Sequence, residues 1–236
     1  MGGQACVFYG AAQFSKDIDL TVLADAANFT RLLAALDELK ARRIAVPRFD
    51  TAALARGHAV HFRCQAEGVR ELRVDIMTRL RDLADFQTLW NRRTTIAEDD
   101  GNVFELLAVE DLVQAKKTQR EKDCPVINAL VEGHYHQHHA SPTPERIRFW
   151  LCEFRTAERL SEIAARFPSE AQALLAVRPL LAHAIDGDLE ALRVALDAEV
   201  RAEQAKDRAY WEPLRRELEA FRREELRAGA ENPENG

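Results

Sequence analysis

An α+β chain is what this sequence predicts: a mixed small sheet with flanking helices, followed by an all-helical C-terminal bundle. Three observations carry that expectation. Short runs rich in β-branched residues, DIDLTVL, HAVHFRCQ and ELRVDIMTRL, all fall before residue 108. From Glu145 to about Arg227 the apolar residues recur almost continuously at helical spacing. Between them lies HYHQHHASPTP, read as a polar linker whose Pro142 and Pro144 announce a new start. The expected boundaries are residues 1–133, residues 142–228 and a disordered tail over 229–236.

Along the chain, QACVFYG reads as a short helix and DIDLTVL as a strand. DAANFTRLLAALDELKARR is helical in period, with Asp25 or Asn28 able to cap it. HAVHFRCQ and ELRVDIMTRL form two strands around AEGV, and RRTTIAEDDGNVFELLAV forms a hairpin with DDGN at its tip. VEDLVQAKKTQREKD is helical and CPVINALVEG is a short helix. The helical half breaks near Phe167-Pro168, Asp186-Gly187 and Asp207, which gives three or four antiparallel helices.

Composition narrows the function class. The 236 residues carry a net charge of −6, which argues against broad, sequence-blind binding to nucleic acid. No run of 18 apolar residues is free of charge, and a basic-then-apolar start is missing, so a cytoplasmic protein without a membrane partner is expected. Cys6, Cys64, Cys124 and Cys152 lie far apart and read as core thiols.

The chemistry concentrates in carboxylates set among apolar residues. Alternation along a strand puts Asp17 and Asp19 on one face, where two like charges are costly unless a cation sits between them. Asp75, in LRVDIMT, has the same flanking. Three such carboxylates suit Mg²⁺ or Mn²⁺, ions that bridge nucleotide phosphates and stabilise in-line displacement. Upstream, the Gly2-Gly3 turn offers backbone N–H groups to a phosphate.

With GGQACVFYG, QFSKDIDL and EDLVQAKKTQREKD in that order, roughly residues 2–130 resemble the nucleotidyltransferase superfamily of the DNA polymerase β type, closest to AbiEii-like minimal bacterial members. The resemblance implies the nucleotidyltransferase fold, an NTP substrate and a Mg²⁺ (or Mn²⁺) cofactor. Gly2 and Gly3 would hold the triphosphate. Asp17, Asp19 and Asp75 would bind metal and form the catalytic set, with Asp75 helping to deprotonate the attacking hydroxyl. Ser15 falls where the family has Thr, and its hydroxyl would bond phosphate; Gln13 stands where Arg is usual. The helix and strand that normally lead into the glycine turn are expected to lie upstream or to be lost.

In the later motif Lys116, Arg120 and Asp123 are spaced by four and three, so a helix would put them on one face. In the family order, Lys116 and Arg120 would neutralise nucleotide phosphates and Asp123 would orient one of them. The activity implied is transfer of NMP from an NTP to a hydroxyl of a protein, tRNA or small-molecule acceptor. A toxin–antitoxin or phage-defence pair, with an antitoxin partner, is the setting the likeness implies. The alternatives are a catalytically weak nucleotide-binding module and a helical protein-interaction module on the same fold.

Histidines give weaker signals. His134, His136, His138 and His139 read as part of a solvated linker, and His58 and His61, three apart on a strand, as facing opposite ways. Trp150 and Trp211 read as packing residues.

Overall fold

Pairing of the β-branched runs organises the N-terminal half in a computed structural model of the chain, which describes residues 1–231, with side chains through residue 228. Strands β1 (Asp17–Thr21), β2 (Arg42–Arg43), β3 (Val60–Arg63) and β4 (Arg73–Met77) form one mixed sheet in the order β1-β4-β3-β2. β1 runs parallel to β4, and the other two pairings are antiparallel. The expected hairpin is present as β5 (Thr94–Ala97) and β6 (Val103–Leu106), turning at Asp100-Gly101.

Helices in this half are α1 (Gly2–Phe8), α2 (Ala26–Glu38), α3 (Thr51–Arg56) and α4 (Phe86–Arg92). Asp25 caps α2 by accepting from the Asn28 N–H at 2.7 Å, as its sequence position suggests. The helix then lays Phe29 and Leu36 against Leu54, Val60, Phe62, Val74 and Ile76. Alternation does the rest: Val60, Phe62, Val74 and Ile76 fill the covered face, so the residues between them emerge on the other.

After residue 108 the described chain is helical: α5 (Val109–Lys116), α6 (Asp123–His138), α7 (Pro144–Glu153), α8 (Ala157–Arg166), α9 (Pro168–Ala173), α10 (Leu181–Asp186) and α11 (Leu189–Glu231). Two compact units result, one of Met1–Ala5, Phe14–Ala108 and the chain from Arg208, the other of Cys6–Gln13 and Val109–Asp207. In the second, Trp150, Leu151, Leu160, Ile163, Leu181 and Leu192 are fully buried. The buried Arg178 guanidinium donates to the carbonyls of Leu151 and Phe154 at 2.8 and 3.0 Å and pairs with Glu199. Those bonds satisfy carbonyls at the C-terminal end of α7. Among the described residues, no helix is long and apolar enough to cross a membrane.

Four local expectations need correction. The basic helix stops at Lys116, and Lys117–Lys122 form a turn before α6 begins at Asp123. The His-rich stretch is no linker: Ile127, Leu130, Val131, His134 and Tyr135 make a buried stripe at helical spacing, so α6 runs on to His138. The chain does break at Phe167-Pro168 and at Gly187, a left-handed C-cap with φ 72°, but α11 passes straight through Asp207. The buried Asp207 carboxylate has a partner inside the fold, accepting from the Gln119 N–H at 2.9 Å. The second half therefore carries α7 to α11, five helices rather than three or four. Of the expected tail, residues 229–231 continue α11 and residues 232–236 lie outside the described chain.

Candidate functional site

Register places the carboxylates. β1 and β4 align Asp17 with Arg73 and Asp19 with Asp75, and β3 sets His61 opposite Asp75. Partners in register share a face, so Asp17, Asp19, Arg73, Asp75 and His61 all project from the sheet face opposite the apolar core. The three expected carboxylates thus lie on one face. Arg73 lies there with them, as does His61, which the sequence marks only as facing away from His58.

Arg73 forks onto Asp75, with Nε 2.7 Å from Oδ1 and Nη2 2.8 Å from Oδ2. His61 Nδ1 is 2.8 Å from Asp75 Oδ1. Burial alone would raise the Asp75 pKa, but the bonds from His61 and Arg73 outweigh it and leave the carboxyl below its ordinary value. The same nitrogen lies 3.1 Å from Arg73 Nη2, so Nδ1 accepts from the guanidinium in one tautomer and donates to the Asp75 carboxylate in the other. The Asp75 bond pushes the Arg73 guanidinium pKa up against its own burial, and the charges of Asp75, Asp17 and Asp19 add to it.

The glycine pair closes against the same strand. Gly2 has φ +68°, and a Cβ there would lie 1.9 Å from Asp19 Oδ2. A Cβ on Gly3 would lie 2.3 Å from Ser15 Oγ. No side chain fits at either position. The Gly3 N–H donates to Asp19 Oδ2 at 3.4 Å, Gln4 Nε2 donates to the Ser15 carbonyl at 3.2 Å, and Ser15 Oγ donates to the Asp17 carbonyl at 3.0 Å. Ser15 therefore acts as a spacer under the turn, with its hydroxyl directed at the backbone.

Lys116, Arg120 and Asp123 belong to the other unit. They meet through the turn rather than a shared helix face: the buried Asp123 carboxylate receives Thr118 Oγ1 at 2.6 Å and Arg120 Nε at 3.0 Å, with Lys116 Nζ at 3.5 Å. Asp123 is the hub and the two cations are its partners. His58 also departs from expectation: it precedes β3 and is buried, with Nε2 2.9 Å from Glu217.

Among the described residues no three His, Cys, Asp or Glu side chains are grouped so as to hold a metal ion. The donor chemistry still suits a hard ion, because Mg²⁺ needs only one or two carboxylates when substrate phosphates and water complete its shell. Asp17 and Asp19 are two carboxylates on that face, Asp19 accepting from the Gly3 N–H, whereas Asp75 has both oxygens in the Arg73 fork. No protein-family profile and no curated protein matches the chain.

Proposed function

We propose that this chain is a Mg²⁺- or Mn²⁺-dependent nucleotidyltransferase that moves NMP from an NTP to a hydroxyl acceptor: a protein, a tRNA or a small molecule. The observation that carries the reading is the β1/β4 register, which puts Asp17, Asp19 and Asp75 on one sheet face with the glycine turn closed on Asp19. Asp17 and Asp19 would hold the ion. When bound, the ion neutralises phosphate charge as the new O–P bond forms and pyrophosphate leaves.

The chain's own residues have distinct tasks. Gly2 and Gly3 let the N-terminal turn close on Asp19 and Ser15, where a Cβ would collide, and so hold that backbone beside the carboxylate face for phosphate. Asp75, kept ionised by Arg73 and His61, accepts the proton of the attacking hydroxyl. In the other unit Asp123 fixes Lys116 and Arg120, and the phosphate role of these two cations rests on the resemblance of the motifs alone. A toxin–antitoxin or phage-defence setting, with an antitoxin partner in the cytoplasm, rests on the resemblance of the motifs.

One observation favours a second reading, a catalytically weak nucleotide-binding module: Arg73 occupies both oxygens of the proposed base. A single experiment separates the two. Each α-labelled NTP is incubated with the full chain, MgCl₂ and, as hydroxyl acceptors, bulk tRNA, a mixed protein fraction or small polyols in turn, and retained nucleotide, label transferred to acceptor and released pyrophosphate are measured. Pyrophosphate release lost in Asp17→Asn supports the enzyme, binding without release supports the weak module, and no Mg²⁺-dependent binding of any NTP overturns both.

A further inference from the structure

Register also grades charge across the carboxylate face of the sheet. β1 contributes Asp17 and Asp19, β4 contributes Arg73 and Asp75, β3 contributes His61 and Arg63, and β2, at the far edge, contributes Arg42. Asp17, Arg73, Arg63 and Arg42 are in direct register from each strand to the next, so they form a single row on one face. Three arginines thus stand side by side over about 10 Å.

Like charges directly opposite one another weaken a sheet, and this row is offset only in part. Arg73 is held by Asp75, and Arg63 Nη1 donates to Glu71 Oε2 at 3.2 Å. The Arg63–Glu71 pair is open to water at both ends, 46% and 61% of the side chains being exposed, so a ligand displaces it at little cost. The Arg42 side chain is exposed and makes no hydrogen bond or ion pair among the described residues. The chain as a whole carries −6, so this cationic edge runs against its average charge.

We propose that Arg42 and Arg63 bind a phosphomonoester on a small-molecule acceptor, and so hold the acceptor's hydroxyl toward Asp75. This rests on the nucleotidyl-transfer reading above. The glycine turn closes on Asp19 of β1, one edge strand of the sheet, and Arg42 lies on β2, the other. In-line displacement brings the attacking hydroxyl in opposite the leaving pyrophosphate. With nucleotide phosphate at the β1 edge, the acceptor therefore enters over β3 and β2. Two guanidiniums balance one phosphomonoester, which carries about −2 at neutral pH, and their planar forks match its oxygens. A nucleic acid strand would extend its charge past this edge over a chain of net charge −6, which favours the small acceptor.

The test needs no turnover. Inorganic phosphate, glycerol 3-phosphate, glycerol and a single-stranded RNA without terminal phosphate are titrated separately into the full chain at low salt, followed by calorimetry, and Mg²⁺–NTP binding is measured on the same variants. Both phosphates should bind and glycerol should not. Arg42→Gln and Arg63→Gln should each weaken glycerol 3-phosphate about tenfold, the loss of one charge-assisted contact, and leave Mg²⁺–NTP binding unchanged. Glu71→Gln, which releases Arg63, should strengthen it. Arg42 is exposed and unpaired among the described residues, so the Arg42→Gln variant should melt no lower than the parent. Glycerol 3-phosphate bound equally by the parent and both arginine variants would overturn the site. RNA bound more tightly than glycerol 3-phosphate would overturn the small acceptor, and loss of Mg²⁺–NTP binding in Arg42→Gln would assign the row to the nucleotide and overturn the acceptor role. Neither phosphate binding while Mg²⁺–NTP binds would overturn the proposal and leave nucleotidyl transfer standing. Phosphates binding as expected while no Mg²⁺–NTP binds would support the phosphate site and overturn nucleotidyl transfer.

Discussion

Arg73 reaches along β4 to grip both oxygens of Asp75, two residues on and on the same strand face, at 2.7 and 2.8 Å. This fork places a fixed cation among three carboxylates that would otherwise repel one another. Arg73→Met should lower stability by about 1–3 kcal/mol, less than for a fully buried pair because the Arg73 side chain is 38% exposed. Millimolar MnCl₂ should restore part of that loss, since a divalent ion replaces the missing charge. Urea unfolding with and without MnCl₂ is the measurement.

The same pair sets an acid limb. Because the folded pKa of Asp75 lies below its ordinary value near 3.8, its contribution is complete above that value. It is lost as pH falls through the depressed one. Arg73→Met should flatten this limb in a series of unfolding curves taken below pH 5.

The glycines offer a graded comparison. Gly2→Ala meets both a left-handed backbone and the Asp19 carboxylate, and Gly3→Ala meets the short Ser15 side chain, which has no flexible end to swing away. Each should cost about 2–3 kcal/mol. Gly10, with φ +72° and open space around its Cβ position, should cost only about 1 kcal/mol on change to Ala. Equal melting temperatures for the three variants would remove the packing argument.

The strands and the DxD face were legible because alternation is local: a period of two fixes which residues share a face before any partner is known. The same rule puts Arg73 beside Asp75, since it stands two residues earlier in LRVDIMT. His61 was beyond reach, since its position opposite Asp75 depends on β3/β4 register. The helix assigned through Asp123 failed for a tertiary reason. Asp123 gathers Thr118, Arg120 and Lys116 around a buried carboxylate, and that hub holds a turn that charge spacing alone reads as helix. The His-rich stretch misled because composition suggests solvent, whereas the stripe from Ile127 to Tyr135 needs His134 as a buried member.

His134 should give the second unit its own pH dependence. Burial, followed by the charges of His138 and Arg146, pushes its pKa down to about 4. Trp150 Nε1 donates to its Nδ1 at 2.9 Å, so the neutral ring carries its proton on Nε2, which faces Glu110 Oε1 at 3.6 Å. A folded pKa below the unfolded one favours the neutral form. Stability is therefore full above about pH 6.5 and falls, by on the order of 3 kcal/mol, as pH drops toward 4. His134→Gln keeps an acceptor for Trp150 without a titrating ring. Most of the slope between those pH values should disappear in its denaturation profile, leaving the smaller part due to His138, whose pKa is also lowered.

Asp17→Asn separates a metal-holding carboxylate from a structural one. The Asp17 contact given by the structure uses its backbone carbonyl, which accepts from Ser15 Oγ, and the amide variant retains that carbonyl. Neighbouring Asp19 is tied to the glycine turn and Asp75 to Arg73, so Asp17 adds a third negative charge to a face whose fixed cation is already engaged. Removing that charge relieves repulsion, and the melting temperature without divalent ion should be unchanged or higher. A hard ion with one carboxylate instead of two is held far more weakly, so Mg²⁺-dependent NTP binding and pyrophosphate release should be lost together. Calorimetric titration of NTP with MgCl₂ and a thermal melt of the same sample read both effects. A variant that melts well below the parent yet still binds NTP with Mg²⁺ would make Asp17 a structural residue and take away the proposed metal site.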